Sequence, residues 1–337
     1  MAVDGPFENG GEMRRARIGV SGKANDWLKY KASLSLTASN ATLKDLYVTA
    51  DDFDFVDTIK IGHLKEPFGL ERQSSSLALP FLERSIASTL APSRNIGILF
   101  SDKLLSKNST YSIGLFRESD SSGESQDSVF GTETGLTSRV TFTPLYADEG
   151  SRVLHLGMSA SLRNPDDGEV RFDSGTELAM SPDLIDTQSI PTDSINLIGL
   201  ELGMVHDNFS LRSEYIATSV KDFDGIHLHF PGFYIQSSYF LSGEHDKYSR
   251  SSGKFKGIEP NSEFTPKQGK GALELSTRFS SLDLDSKYVL GGHLRGITLG
   301  LGWHLNETTK LQLNYNYSEL EYMGNVQGVA LRFHFHW

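Results

Sequence analysis

Apolar and polar residues alternate along most of the chain, in segments of about ten residues. In the last segment Val329, Leu331 and Phe333 share one face, whereas Arg332 and His334 share the other. A period of two residues is typical of a β-strand whose two faces meet different surroundings. The pattern predicts fifteen strands, at 13–21, 28–37, 43–51, 57–65, 95–101, 109–117, 134–143, 151–163, 193–205, 208–219, 228–241, 270–280, 292–304, 308–319 and 328–337.

The length of these strands indicates a membrane protein. Strands of soluble proteins usually have about five or six residues, whereas a tilted strand needs about 9–11 to cross a bilayer. A sheet in hydrocarbon must also close, because an open edge would leave backbone groups without partners. Aromatic residues near strand ends, such as Tyr30, Tyr111, Trp303 and the C-terminal Trp337, fit the interfacial girdles of such barrels. We therefore predict an all-β, antiparallel transmembrane barrel that forms one domain over 1–337.

The connections between strands differ in length. Three long connections fall at the same end of the predicted barrel: 66–94, 118–133 and 164–192. The connections between them, 102–108 and 144–150, are short. Long connections are expected outside the cell and short turns in the periplasm. Residues 242–269 are the exception, a long connection on the periplasmic side.

The number of strands raises a question about closure. Fifteen antiparallel strands would leave the first and last parallel to each other. We therefore expect one further strand, and a signal peptide, before residue 1, with residues 1–12 as a tail. The alternative is that residues 168–174 form a sixteenth strand.

Composition excludes several classes of function. The chain has no cysteine and a net charge of −11, which argues against disulfides, thiolate metal sites and nucleic-acid binding. No sequence motif of a hydrolase or a metalloprotease is present, so we predict neither an enzyme nor a cofactor. His334 and His336 could bind a metal from one strand face, but further ligands are lacking nearby.

If the apolar face meets lipid, the charged residues that alternate with it face the lumen, since Arg or Lys in mid-bilayer would cost about 2–4 kcal/mol. The predicted lining cations are Arg15, Arg17, Lys29, Lys31, Lys60, Arg139, Arg163, Arg212, Arg278, Lys310 and Arg332. The acids on the same face are Asp45, Glu201, Glu214 and Glu274. A basic lumen concentrates anions, so the lining predicts an anion pore. The alternative is that these cations pair with the acids and only hold the wall rigid.

Two connections are candidates for narrowing the pore. Segment 66–94 is unusually apolar, and we predict that it folds into the barrel with Arg84 and Arg94 at the constriction. The alternative is an outer loop packed at a subunit interface. Segment 242–269 brings Lys254 and Lys256 as further candidates, or forms a solvated charged turn.

Several motifs resemble one family. They are Arg14-Arg15-Ala16-Arg17-Ile18-Gly19-Val20, Gly62-His63-Leu64-Lys65-Glu66-Pro67-Phe68-Gly69, Phe81-Leu82-Glu83-Arg84 and Lys254-Phe255-Lys256-Gly257. Their residues and order are similar to those of the phosphate-selective porin O and P family, over nearly the whole chain. The resemblance implies a 16-stranded, homotrimeric porin in a Gram-negative outer membrane, with one more strand before the Arg-Arg segment. It also implies that 66–94 is the constriction loop and that Arg14 and Arg15 match a basic pair of the family.

The chain departs from the phosphate-specific pattern at two places. Residues 182–193 contain no Arg, although such members carry several there, and Asp183, Asp186 and Asp193 are present instead. Leu77 stands where such members have Lys. We therefore expect passive diffusion of small anions, with phosphate and polyphosphate among the candidates. The alternatives are a non-selective porin and a soluble β-sandwich that binds sugars or surfaces.

Overall fold

The computed structural model describes residues 10–36, 41–54, 56–104, 108–119, 134–165 and 168–336. Its strands are β1 (Ala16–Lys23), β2 (Leu28–Leu36), β3 (Ala41–Phe53), β4 (Val56–Lys65), β5 (Arg94–Leu104), β6 (Ser109–Arg117), β7 (Gly135–Ala147), β8 (Arg152–Arg163), β9 (Glu169–Val170), β10 (Asp173–Ser174), β11 (Ile185–Asp186), β12 (Ile190–Pro191), β13 (Ser194–His206), β14 (Phe209–Lys221), β15 (His227–Phe240), β16 (Tyr248–Ser249), β17 (Lys254–Phe255), β18 (Ala272–Ser286), β19 (Val289–His304), β20 (Thr309–Leu320) and β21 (Gly324–Phe335). The helical pieces are α1 (Leu70–Gln73) and the 3-10 turns Ser76–Ala78, Ile86–Leu90 and Asp148–Gly150.

Fifteen long strands form one antiparallel sheet, which we call the wall. Its order is β1-β2-β3-β4-β5-β6-β7-β8-β13-β14-β15-β18-β19-β20-β21, so each strand pairs with the next long strand of the chain. Each predicted segment corresponds to one wall strand, and the prediction of an all-β antiparallel fold is confirmed. Several strands extend further than predicted, for example β18, which continues to Ser286. There the apolar residues Leu282 and Leu284 face inward and alternate with Asp283 and Asp285, so the two faces exchange their polarity although the pairing continues.

Turn residues explain how neighbouring strands connect. Asp207, with φ of 52°, lies between β13 and β14, and His206 pairs with Phe209 across a two-residue turn. Asp and Asn tolerate this left-handed conformation better than other residues with a side chain. Lys287 has φ of 53° in the equivalent turn between β18 and β19. Such turns fix the register of both strands, and therefore the face on which each side chain lies.

The long connections after β4, β6 and β8 share one end of the wall, which we call the outer end. The connection between β15 and β18, which contains predicted segment 242–269, lies at the opposite, inner end. Residues 168–174 form only the short strands β9 and β10, which pair outside the wall with β12 and β11. They are therefore not a sixteenth wall strand. The further strand expected before residue 1 stays a prediction.

The main apolar cluster lies between the wall and two connections of the outer end. It combines Phe68, Ile86 and Leu90 of segment 66–94 with Phe172 and other residues of segment 164–192 and with inward residues of β13 to β20. This cluster fills the space between the two connections and the inner face of these strands near the outer end. No helix among the described residues is long and apolar enough to cross a bilayer. Trp337 and the first nine residues of the predicted tail lie outside the described residues.

Candidate functional site

The wall has an apolar outer face and a polar inner face. On β18, Leu275 and Phe279 are 45% and 39% exposed, whereas Glu274 and Arg278 are 3% and 1% exposed. The acids predicted to face inward are all buried, at 5% exposure or less: Asp45, Glu201, Glu214 and Glu274. Soluble proteins normally show the reverse distribution, since unpaired charges are expensive to bury. The burial pattern is that of a wall with lipid outside and a charged interior.

Segment 66–94 lies against this inner face. The backbone N–H groups of Leu70 and Glu71 donate to the carboxylate of Glu214 on β14, at 2.5 and 2.8 Å. The ammonium of Lys310 on β20 donates to the carbonyl of Leu79 at 2.8 Å. An irregular segment needs such side-chain partners because its own backbone groups do not satisfy one another. Wall strands on different sides of the lumen therefore hold the segment in place.

The connection between β15 and β18 folds inward from the other end. Strands β16 and β17 form a hairpin, and the carbonyl of Gly253 accepts a hydrogen bond from Arg139 at 2.7 Å. The hydroxyl of Tyr248 is hydrogen-bonded to Thr143 and to the buried His155, at 3.1 and 2.7 Å. The wall therefore has an inward segment at each end.

Most of the eleven predicted lining cations have acidic partners. The ion pairs are Arg15–Glu83, Lys29–Asp51, Lys31–Asp45, Arg139–Glu201, Arg163–Glu66, Arg212–Asp246, Arg278–Glu71 and Glu177, and Arg332–Glu83. Lys310 donates to a backbone carbonyl instead, and Lys60 lies 5.7 Å from the ring centre of Tyr47. Within the described ranges, neither Arg17 nor Lys60 forms an ion pair. The sequence left open whether these cations pair with acids, and the structure shows that most of them do.

Exposure divides these cations into two groups. The side chains of Lys29 and Lys31 on β2 are each 44% exposed, whereas those of Arg212 and Arg278 are 5% and 1% exposed. Arg139, Arg212, Arg278 and Lys310 are covered by the two inward segments. These four side chains are buried, which alternation does not predict because it identifies a face but not what covers it, and their role in lining the pore stays a prediction. The most exposed of the predicted lining cations are therefore Lys29 and Lys31 on β2.

A small basic pocket lies where segment 66–94 leaves the wall. It is lined by the cations Lys65, Arg72, Arg84 and Arg94. Glu66 also lines it, but its carboxylate accepts hydrogen bonds from Arg163 and from other wall side chains. Burial, and then the charge of Arg84, lowers the pKa of Arg72 to about 10.

The structure places the four constriction candidates differently. Arg84 and Arg94 line the basic pocket, and Arg94 also pairs with Asp45 at 2.8 Å. Lys254 lies on the inward hairpin, where burial and then the charges of Lys60 and Arg139 lower its pKa to about 8. Lys256 is exposed. Its role at a constriction stays a prediction.

Lys65 and Arg72 line the basic pocket but were not among the predicted residues. Lys65 is the last residue of β4, and its ammonium donates to the carbonyl of Arg72 at 2.6 Å. Arg72 lies in the last turn of α1, which has only four residues. The predicted alternation ends at Lys65 and does not extend to Arg72. The signal available in the sequence was their closeness to the ends of segment 66–94.

The antiparallel wall, its apolar outer face, its charged interior and its inward segments together define a class: a β-barrel of the outer-membrane type. The sequence matches the profile of the phosphate-selective porin O and P family over residues 4–333. The chain belongs to that family, and the resemblance drawn from its motifs is confirmed.

Individual proteins agree with this assignment. An uncharacterised protein of Caulobacter vibrioides is 27% identical over 96% of this chain and 65% of its own length. The chain therefore spans less than two thirds of that relative. Porin O of Pseudomonas aeruginosa is 25% identical over 94% of this chain and 78% of its own length. An anion-selective porin from Comamonas acidovorans has a similar fold, with a TM-score of 0.59 at 14% identity, covering 97% of this chain and 91% of that one.

Proposed function

We propose that this porin lets small anions diffuse passively across an outer membrane through a basic lumen. The observation that carries the proposal is a group of partly exposed cations on one side of the wall: Arg15, just before β1, and Lys29 and Lys31 on the inner face of β2. The acids that pair with Lys29 and Lys31 are far less exposed, Asp51 at 16% and Asp45 at 7%. A solute in the lumen therefore meets more positive than negative charge.

The positions of the basic groups along the pore support a stepwise path for the anion. Lys60 lies near the middle of β4, and Lys254 approaches the same region from the inward hairpin, since their charges affect each other. The basic pocket lies further along β4, at Lys65, toward the outer end. Charged groups in a narrow, low-dielectric wall raise the local concentration of counter-ions, and several weak sites let an ion leave again. An anion would pass from the pocket to Lys60 and Lys254.

The comparisons support an anion as the solute. The family is described as phosphate-selective, and the structurally similar Comamonas porin is anion-selective. Phosphate itself is less well supported by this chain's own residues, because Arg171 in segment 164–192 pairs with Asp186 and stands beside Asp173. We propose inorganic phosphate as one permeant anion among others.

A non-selective porin is the second candidate, favoured by the pairing of eight predicted lining cations. The test is the zero-current potential across a planar bilayer in a KCl gradient, recorded with the refolded protein. Chloride preference supports the anion pore, and inhibition of the chloride current by phosphate would then identify a shared site. A potential near zero would support the non-selective pore. Preference for potassium would contradict the proposed lumen.

We extend the proposal to assembly and location. The chain would function as a homotrimer in the outer membrane of a Gram-negative bacterium, in contact with outer-membrane lipid. Cyclic symmetry of this kind is common among homo-oligomers. Cross-linking in outer-membrane fractions, followed by unheated gel electrophoresis, would measure the number of subunits. A single cross-linked species at the dimer or monomer mass would contradict the trimer.

A further inference from the structure

Glu177 belongs to segment 164–192 but is buried in the barrel interior, at 1% exposure. One carboxylate oxygen accepts the hydroxyl of Ser280 at 2.6 Å and the backbone N–H of Ile86 at 3.2 Å. The other accepts the guanidinium of Arg278 at 2.8 Å and the hydroxyl of Thr298 at 2.5 Å. This carboxylate therefore joins β18, β19 and segment 66–94 at one point.

Arg278 strengthens the same junction from the wall. Its guanidinium lies 4.4 Å from the ring centre of Phe81 and donates to the carbonyl of Glu83 at 3.0 Å. It also pairs with Glu71 at 3.3 Å. All three partners belong to segment 66–94. Arg278 on the wall therefore contacts both segments: segment 66–94 through these three partners and segment 164–192 through its ion pair with Glu177.

Apolar packing runs in parallel with these polar contacts. Ile86 and Leu90 of segment 66–94 are in the same buried cluster as Phe172, Ile185 and Ile190 of segment 164–192. Apolar contact alone allows neighbouring surfaces to slide, whereas hydrogen bonds to a buried carboxylate require one geometry. Glu177 therefore fixes the position of the Ile86–Leu90 turn relative to the wall.

We propose that Glu177 is the positioning residue of the constriction, so that segment 164–192 sets the width left open by segment 66–94. The inference rests on the proposed function, because it assigns a role in conduction. Glu177 does not touch the permeating anion. Its removal would release the Ile86–Leu90 turn and leave Arg278 with one acid instead of two.

Two variants separate this role from general stability. Glu177→Gln removes the charge and keeps the size. Ile86→Pro removes the donated N–H, and the backbone can accept it because this residue is the first of its 3-10 turn and Ser85 already has the extended conformation that precedes proline. Proline also shortens a side chain of the apolar cluster, so Ile86→Val, which shortens it but keeps the N–H, is the matched control. Asp222→Asn is a second control, since Asp222 is buried to a similar degree but bonds Tyr288 and Ile226 at the outer rim.

Single-channel recording and limited trypsin digestion in detergent are the two measurements. We expect Glu177→Gln and Ile86→Pro to increase conductance and current noise, and to speed cleavage within segment 66–94, while Ile86→Val and Asp222→Asn behave as the wild type. Wild-type conductance and cleavage in Ile86→Pro would overturn the inference, even if Glu177→Gln fails to fold. If the wild type forms no channels, the proposed function fails. The rate of cleavage still decides whether Glu177 holds the segment.

Discussion

Arg332 on the last wall strand lies 2.5 Å from the carboxylate of Glu83, which precedes it by 249 residues. The same carboxylate accepts two hydrogen bonds from Arg14, just before the first wall strand, at 3.0 and 3.1 Å. Segment 66–94 therefore contacts both edges of the wall through one side chain. Burial works to raise the pKa of Glu83, but the hydrogen bonds from Arg14 and Arg332 lower it to about 2.

Glu83→Gln should weaken this junction. A hydrogen bond to a charged group is worth about 2 kcal/mol, and the variant also leaves Arg14 and Arg332 without a shared counter-charge. We expect the free energy of unfolding in urea to fall by about 2 kcal/mol. The heat-dependent shift in gel mobility would measure the folded fraction at each urea concentration. Glu12→Gln is the control, because Glu12 contacts Arg14 at 3.7 Å and is 37% exposed, so it should cost under about 1 kcal/mol. Equal losses in both variants would contradict the prediction.

Acid should weaken the same junction within a defined pH range. The pKa of Glu83 is lower in the folded protein than in the unfolded chain, so its stabilising effect is complete above about pH 4.5. The effect is lost as the pH falls toward about 2. We expect the stability difference between wild type and Glu83→Gln to shrink over this range. A difference that stays constant from pH 5 to about pH 2 would show that Glu83 does not titrate there.

Neutralising the central lysines should reduce anion preference. Lys60 and Lys254 approach each other inside the lumen, and each adds positive potential where the path is covered by the hairpin. We expect Lys60→Gln and Lys254→Gln each to move the zero-current potential toward cation preference, and the double variant to move it further. Lys267→Gln, in the exposed part of the same connection, serves as the control. A shift in the control as large as in the others would rule out a local effect.

The anion preference should also depend on pH. The pKa of Lys254 is lowered to about 8, first by burial and then by repulsion from Lys60, so this ammonium loses its proton as the pH rises through about 8. We expect the preference for chloride to fall between pH 7 and about pH 9. Lys254→Arg should remove this dependence, because a guanidinium stays charged. A pH profile unchanged by the substitution would assign the effect to another group.

Arg139 should matter for stability rather than selectivity. It is covered by the hairpin, and its guanidinium donates to Glu201 at 2.6 and 2.8 Å as well as to Gly253. Arg139→Gln would leave Glu201 buried without its main counter-charge, at a cost of about 3–5 kcal/mol. We expect Arg139→Lys to restore only part of this, since an ammonium cannot bond both oxygens in parallel. A change in zero-current potential without loss of stability would place Arg139 on the ion path instead.

Much of the wall could be predicted because the bilayer imposes a simple rule. Leu331 and Phe333 alternate with Arg332, and this alternation alone predicts that Arg332 faces inward. The inward acids Glu201 and Glu274 follow from the same rule. It fails where the polarity of the two faces is reversed, as at Leu282 and Leu284, which are fully buried beside the outer connections while Asp283 and Asp285 lie on the other face. The end of β18 was therefore predicted too early.

The sequence by itself determined the strands, their faces and the order of the wall, because period and turn chemistry are local properties. Only the tertiary structure decided which inward cations meet the lumen. Lys31 and Arg278 follow the same pattern in their strands, yet one is 44% exposed and the other 1%. The difference arises because segments distant in the chain cover Arg278 and leave Lys31 open. The path of the ion depends on those contacts between distant residues, which no local pattern encodes.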